Sequence, residues 1–186
     1  MVPTPSLAVR PATVADAEAV SDLVHSAYRS EESRRGWTTE ADLVGGRRAD
    51  AAMIRHVVGL ADAVVLLAED DAGAPFACCH LERREDAAYL GMFAVRPTAQ
   101  GRGVGRGMLD AAEAFARDRW RATSLQITVL NHRPELQAWY ERCGFTLTGE
   151  RYDFPYDDER FGVPRRPDLA LLGMVRPVRP ASARTA

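Results

Sequence analysis

The sequence predicts a single-domain α/β protein. Its 186 residues, 46 % of them hydrophobic, suit one domain with a substantial core. Helical and strand patterns follow one another in the order β-α-α-β-β-β-α-β-α-β-β, without an internal repeat or a linker. A glycine-rich turn joins one apolar strand directly to the longest predicted helix, which is a further mark of α/β architecture.

The N-terminal third is predicted to hold one short strand and two helices. Residues 7–10 form the strand, and Thr13 with Asp16 makes a capping box that opens the first helix. Residues 29–48 are polar and glycine-containing, which indicates a loop. A second helix over residues 51–58 ends at a glycine.

The rest of the chain alternates short strands with two helices. Three strands, separated by tight turns, predict an antiparallel meander over 63–68, 76–83 and 89–95. The later elements are a helix after the glycine turn, strand 125–130, helix 135–143, and strands 145–149 and 169–175. Residues 177–186 are rich in Pro, Arg and small residues, and we expect a disordered tail there.

The glycine turn predicts a binding site for an anionic group. Gly101, Gly103 and Gly105 stand between the apolar strand and the helix, so that successive backbone N–H groups and the positive helix end can face a phosphate. A Walker A loop requires a lysine, and the chain has none. A dinucleotide fingerprint requires a glycine or alanine where Arg106, Met108 or Asp110 stands, so that motif is excluded too.

The remaining pattern, Gln100-x-x-Gly103-x-Gly105, resembles the acetyl-coenzyme A signature of the GNAT superfamily, the Gcn5-related N-acetyltransferases. Its flanks fit as well: Met-Phe-Ala-Val at 92–95 with Pro97, and Trp-Tyr-Glu-Arg-Cys-Gly-Phe at 139–145. The resemblance covers residues 7–176. It implies the acyl-CoA N-acyltransferase fold, a mixed central sheet whose parallel strands, here 89–95 and 125–130, splay apart to form a cleft.

The resemblance also implies which residues contact acetyl-CoA. Backbone groups of 93–95 bind the pantetheine arm as a pseudo-strand, and amides of 101–106 bind the pyrophosphate. Arg102 and Arg106 either add charge there or are merely solvated. The family's asparagine position is Arg133 here, and Asn131 two residues earlier either reaches the cofactor or bonds its local turn. The expected contacts are Phe93, Ala94, Val95, Gln100, Gly101, Arg102, Gly103, Val104, Gly105, Arg106 and Asn131.

Tyr140 is the candidate general acid. It shares one helix face with Leu136, Trp139 and Cys143, which predicts a buried phenol. In the family, the tyrosine at this position protonates the departing coenzyme A thiolate. The alternative is a core tyrosine bonded to a backbone carbonyl. The spacing of Cys143 favours a structural thiol over a ping-pong nucleophile.

The general base and the acceptor are less well marked. Glu82 and His80 alternate onto one strand face and are candidate bases, although that face can equally be the solvent side. We expect the acceptor site to lie between segments 29–48 and 151–167. The second is long and aromatic, with both acidic and basic residues, so it leaves the amine's identity open between small molecules and peptides.

Composition limits the function classes. A net charge of −2 argues against nucleic-acid binding, no apolar run approaches the roughly 18 residues of a membrane span, and the N-terminus lacks signal-peptide features. Neither the histidines nor the three cysteines have metal-ligand spacing. We therefore expect a cytoplasmic, metal-free, acetyl-CoA-dependent N-acetyltransferase, monomeric or homodimeric, releasing coenzyme A. The rivals are a non-catalytic acyl-CoA-binding or regulatory domain and, disfavoured by the missing lysine, an ATP-binding protein.

Overall fold

A mixed seven-stranded sheet with helices on both faces forms the body of the protein. The computed structural model describes residues 7–180. The strands are β1 (Arg10–Pro11), β2 (Val44–Gly45), β3 (Ala63–Glu69), β4 (Pro75–Arg84), β5 (Ala87–Val95), β6 (Ser124–Leu130), β7 (Thr146–Asp153), β8 (Val163–Pro164) and β9 (Ala170–Pro177). The helices are α1 (Ala17–Tyr28), α2 (Ala51–Val58), α3 (Val104–Trp120) and α4 (Pro134–Arg142).

The strand order is β1-β3-β4-β5-β6-β9-β7, and β3, β4 and β5 form the predicted antiparallel meander. Alternate side chains of β3 point to opposite faces, which gives the sheet a core on each side. Leu66 packs in the cluster that contains α3, whereas Val65 and Leu67 pack in the cluster that contains α1 and α2. The predicted α/β class and mixed sheet are confirmed.

The two central strands separate, as expected. β5 and β6 pair in parallel only from Ala87 with Ser124 to Tyr89 with Gln126. Beyond that point β5 carries an extra residue relative to β4, and Met92 adopts a left-handed φ of 46°. A bulge of this kind bends its strand and turns it away from a neighbour. The bulge therefore opens a cleft between the ends of β5 and β6.

A second, two-stranded sheet joins the two loop segments expected to shape the acceptor site. β2 pairs with β8. Gly162 precedes β8 with a φ of 99°, and a Cβ atom there would lie 2.5 Å from the carbonyl oxygen of Gly45. Only glycine fits this approach, so Gly162 holds segment 151–167 against segment 29–48.

Three predictions about the chain ends and first helix need adjustment. The first strand is β1 rather than residues 7–10, because Leu7 packs against Gly107 of α3. The Thr13–Asp16 box is present, but it caps a 3-10 turn that leads into α1. Residues 177–180 do not begin a disordered tail: Pro177 ends β9, and Arg179 bonds to Glu113 of α3. The remaining tail, 181–186, lies outside the described residues.

Candidate active site

Two cavities meet inside the cleft. The large cavity, about 400 Å³, lies between the turn before α3, the end of β5 and α4. The small cavity, about 140 Å³, lies between the separated strands and the β2–β8 side. Their shared wall consists of Tyr28, Phe93, Arg133, Leu136 and Tyr140. Two molecules bound on the two sides would therefore face each other across this wall.

The turn before α3 presents a row of unused backbone donors to the large cavity. Gly101 and Gly103 have φ angles of 76° and 82°, and Gly103 caps α3 without a side-chain hydrogen bond. Within residues 7–180, no backbone N–H from Gly101 to Arg106 donates a hydrogen bond; the first that does is that of Gly107, to Gly103. Six consecutive unpaired amides at the start of a 17-residue helix form an anion cradle.

Arginines stand beside this cradle and form no ion pair with any residue of 7–180. Arg106 and Arg142 line the large cavity, and Arg106 Nη2 lies 3.4 Å from the carbonyl oxygen of Arg142. Arg102 is exposed beside them and does not line the cavity. Arg142 was not predicted, since nothing in its spacing distinguishes it from a solvated helix residue.

The cleft edge of β5 differs from the expectation in one respect. The carbonyls of Phe93 and Val95 are already hydrogen-bonded: Tyr28 Oη donates to Phe93 at 2.9 Å, and Gln100 Nε2 to Val95 at 3.0 Å. Each carbonyl keeps a second lone pair. The N–H of Arg96 donates to Phe76 of β4, so by alternation the N–H of Val95 points into the cleft.

Gln100 is a clamp between two segments. Besides bonding Val95, its Oε1 accepts from the N–H of Trp37 at 3.0 Å. A Cβ atom at Gly36 would lie 2.5 Å from that oxygen, so the close approach requires glycine. The side-chain amide of Gln100 is thus used within the protein while the residue still lines the large cavity.

Aromatic rings form the floor of the large cavity around Trp139. Its ring centroid lies 4.9 Å from that of Tyr140, 6.0 Å from Phe93 and 6.3 Å from Trp37. A Cβ atom at Gly105 would stand 3.1 Å from Trp139 Cζ2. Gly105 therefore lets the start of α3 approach α4 closely.

Tyr140 is a buried residue in the shared wall of the two cavities. The residue is 6 % exposed and lines both cavities. No hydrogen bond to Oη is found among the described residues, so the alternative of a core tyrosine bonded to a backbone carbonyl is not what the structure shows. Burial raises the pKa of Tyr140 well above its usual value. The phenol consequently stays protonated at neutral pH.

Burial also raises the pKa of Cys143, opposed by the nearby charges of Arg106 and Arg176. The thiol is 6 % exposed and packs in the core cluster with Phe145. A protonated, packed thiol is a poor nucleophile. This agrees with the prediction of a structural role for Cys143.

Six predicted residues are absent from the walls of both cavities: Ala94, Arg102, Val104, Glu82, His80 and Asn131. Glu82 is bonded to Arg84 Nε at 3.2 Å with its side chain 42 % exposed, so the structure places this candidate base on the solvent side. His80 is half-buried beside Gly91 but lines neither cavity. Asn131 uses its amide on β9, donating to Asp168 O at 2.9 Å and accepting from Ala170 N at 3.0 Å. That is the local structural role, and Asn131 takes no part in the cavity wall.

The carboxylate of the site is one that sequence reasoning missed. Glu40 lines the small cavity and is 4 % exposed. Among residues 7–180, it is the only Asp or Glu in the wall of either cavity. Its Oε1 lies 3.6 Å from Arg29 Nε. Glu40 sits in a loop without periodicity, so no sequence signal marked it. No group of three or more His, Cys, Asp or Glu that could hold a metal is found over residues 7–180.

The structure contains the separated parallel strands and the glycine turn at a helix start that the resemblance implied. Residues 61–147 match the family model described as the acetyltransferase (GNAT) domain, and the enzymes of that family use acetyl-CoA. No curated protein sequence matches the chain. Over residues 7–180, no helix is long and apolar enough to cross a membrane.

Solved structures of other acetyltransferases share the fold. The ribosomal-protein-S18-alanine N-acetyltransferase of Escherichia coli superposes with a TM-score of 0.66 at 16 % identity, covering 96 % of this chain and 98 % of its own. Nourseothricin acetyltransferase gives 0.64 at 23 % identity, covering 92 % and 98 %. Mutant forms of the spermidine/spermine N-acetyltransferase of Vibrio cholerae give 0.66 at 15 % identity, covering 94 % and 95 %.

Proposed function

We propose that the protein transfers an acetyl group from acetyl-CoA to a primary amine by direct attack within a ternary complex. The observation that carries this proposal is the shared wall: an amide cradle and aromatic floor on one side, a charged cavity on the other, and the Tyr140 hydroxyl between them. The similar structures bear the names of nourseothricin, ribosomal-protein-S18-alanine and spermidine/spermine acetyltransferases, so they leave the acceptor of this chain open.

The residues of the large cavity fit acetyl-CoA. The six unpaired amides of residues 101–106 would hold the pyrophosphate, with Arg106 and Arg142 adding positive charge. The N–H of Val95 and the remaining lone pairs of the β5 carbonyls would hold the amides of the pantetheine arm. Acetyl-CoA supplies an acetyl group activated as a thioester.

The protein's own groups then manage charge and protons. The Val95 N–H would polarise the carbonyl oxygen of the acetyl group. Tyr140 Oη would give a proton to the departing sulfur, and its raised pKa means that the hydroxyl is protonated at neutral pH. An amine with a pKa near ~10 must lose a proton before it attacks. Glu40 replaces Glu82 as the candidate base because it lines the small cavity.

Replacement of Tyr140 by Phe tests the mechanism. Loss of the acid should lower kcat by about 10²–10⁴-fold while the Kd for acetyl-CoA changes less than about twofold. Turnover would be followed as coenzyme A thiol released in the presence of a panel of primary amines. An unchanged kcat would remove Tyr140 from the reaction. Tight acetyl-CoA binding without acetylation of any amine would favour the non-catalytic acyl-CoA-binding alternative.

A further inference from the structure

The small cavity has an excess of positive charge. Its wall contains three guanidinium groups, Arg29, Arg48 and Arg133, and one carboxylate, Glu40. Arg29 and Glu40 form an ion pair with side chains only 3 % and 5 % exposed. Since this pair is neutral overall, the guanidinium groups of Arg48 and Arg133 remain, with no second carboxylate among the residues that line the cavity.

Arg29 is committed to holding the fold together. Its Nη1 donates to the carbonyl oxygen of Arg47 at 3.1 Å, and its Nη2 to that of Phe161 at 3.0 Å. These bonds tie the end of α1 to both loop segments. Arg29 is therefore a positioning residue for Glu40 and is not available to a ligand.

Arg133 and Arg48 make fewer hydrogen bonds within the protein than Arg29 does. Arg133 is 7 % exposed; its Nη2 donates to Thr38 Oγ1 at 2.7 Å, and its buried Nε has no hydrogen-bond partner within residues 7–180. The nearest carboxylate, on the half-exposed Glu135, is 3.9 Å from Nε. Arg48 lines the cavity and makes neither a hydrogen bond nor an ion pair with any described residue.

A buried guanidinium with an unsatisfied donor is costly unless an anion completes its bonding. Arg133 is also part of the shared wall with Tyr140, where the acetyl group would be transferred. A ligand whose amine faces this wall would satisfy Arg133 if it also carried an anionic group close to the amine. That is the arrangement of an α-amino acid.

We infer that the acceptor is a free α-amino acid, with its carboxylate on Arg133, added attraction from Arg48, and its amine between Glu40 and Tyr140. This inference rests on the proposed function. The cavity of about 140 Å³ suits it in size, because a cavity of roughly 150 Å³ accommodates a molecule as large as benzene. A diamine would meet the surplus positive charge and be repelled.

Matched acceptors test the carboxylate directly. Each of the common L-amino acids would be compared with its amide, which models a peptide N-terminus, and with 1,4-diaminobutane, by measuring kcat/KM for coenzyme A release. We expect at least one free amino acid to exceed its own amide by about 100-fold or more, because an unfilled Arg133 site rejects the amide. Faster acetylation of amides or of the diamine would overturn the inference.

Arginine variants test whether Arg133 causes the preference for a free amino acid over its amide. Arg133→Gln should remove the difference between the acid and its amide, Arg133→Lys should restore part of it, and Arg83→Gln, an exposed control on β4, should leave it unchanged. A second readout is independent of turnover: the preferred amino acid should raise the Tm of the coenzyme A-saturated wild type but not of Arg133→Gln. An unchanged preference in Arg133→Gln would also overturn the inference.

Acetyl-CoA binding, measured on the same samples, shows whether a negative result contradicts the amino-acid acceptor alone or the proposed function as well. If acetyl-CoA binds and amines without a carboxylate are acetylated best, the proposed function stands and the amino-acid inference is wrong. If acetyl-CoA does not bind, both are wrong.

Discussion

A charge placed in the amide cradle provides a sharp test of phosphate binding. Gly101 has a φ of 76°, and a Cβ atom there would meet no other atom within 4 Å. Asn and Asp tolerate the left-handed region better than other residues, and they are nearly identical in shape. Gly101→Asn and Gly101→Asp therefore share the same backbone cost and differ only in one negative charge.

The magnitude follows from Coulomb's law. A carboxylate about 5 Å from a phosphate, at an effective dielectric constant of about 40, raises the binding free energy by about 1.7 kcal/mol. The Asp variant should then bind acetyl-CoA roughly 15-fold more weakly than the Asn variant. The gap should narrow in high salt, because exposed charges are screened.

Tryptophan fluorescence offers a direct assay, since Trp37 and Trp139 both line the large cavity. Quenching on titration with acetyl-CoA would give the Kd of wild type and both variants at two salt concentrations. Equal affinity of the Asp and Asn variants would refute the assignment of this turn as the phosphate site. Thermal melts of both variants verify that they are equally folded.

Three further predictions concern the framework around the site. Gly162→Ala should lower the Tm by about 4–12 °C, because backbone strain and the clash with Gly45 cost roughly 2–3 kcal/mol. Gly73→Ala is the control: its added methyl group would meet open space, and the Tm should fall by only about 2–4 °C. Burial raises the pKa of Glu113, but the hydrogen bonds from Arg179 outweigh that effect and leave the pKa below its usual value. The ionised carboxylate therefore stabilises the fold above pH about 4.3, and this stabilisation is lost as the pH falls below that value. The difference in Tm between wild type and Glu113→Gln, measured by calorimetry, should shrink from pH 7 to pH 3. The Gln100→Glu side chain cannot donate to the carbonyl of Val95 at the end of β5. Chemical denaturation should therefore show a free energy of unfolding lower by roughly 1–3 kcal/mol, together with weaker acetyl-CoA binding. Unchanged stability would contradict the role of Gln100 as a clamp.

Local patterns were enough to predict the elements that position the cradle. Strand β5, the turn through Gly103 and helix α3 are contiguous, so apolar periodicity and glycine spacing specify them. Tyr140 was likewise found because helical spacing places it on the inner face of α4. In both cases the information lies in one continuous stretch, residues 87–120 for the cradle and 134–142 for Tyr140.

Contacts between distant segments were not visible in the sequence. β2 and β8 have only two residues each and lie more than a hundred positions apart, too short for any pattern to indicate their pairing. The same holds for Glu40, which reaches the cavity from an irregular loop. Alternation along β4 identified Glu82 as facing the same way as His80, but alternation alone does not say which side of a strand the cleft occupies.

Calorimetric titration of the wild-type protein with acetyl-CoA, and with ATP in parallel, tests the central claim most directly. Micromolar binding of acetyl-CoA, with ATP binding at least tenfold weaker, is expected if the cradle and the aromatic floor act together on one ligand. Absence of acetyl-CoA binding, or a preference for ATP, would contradict the assignment of this cleft to acetyl transfer.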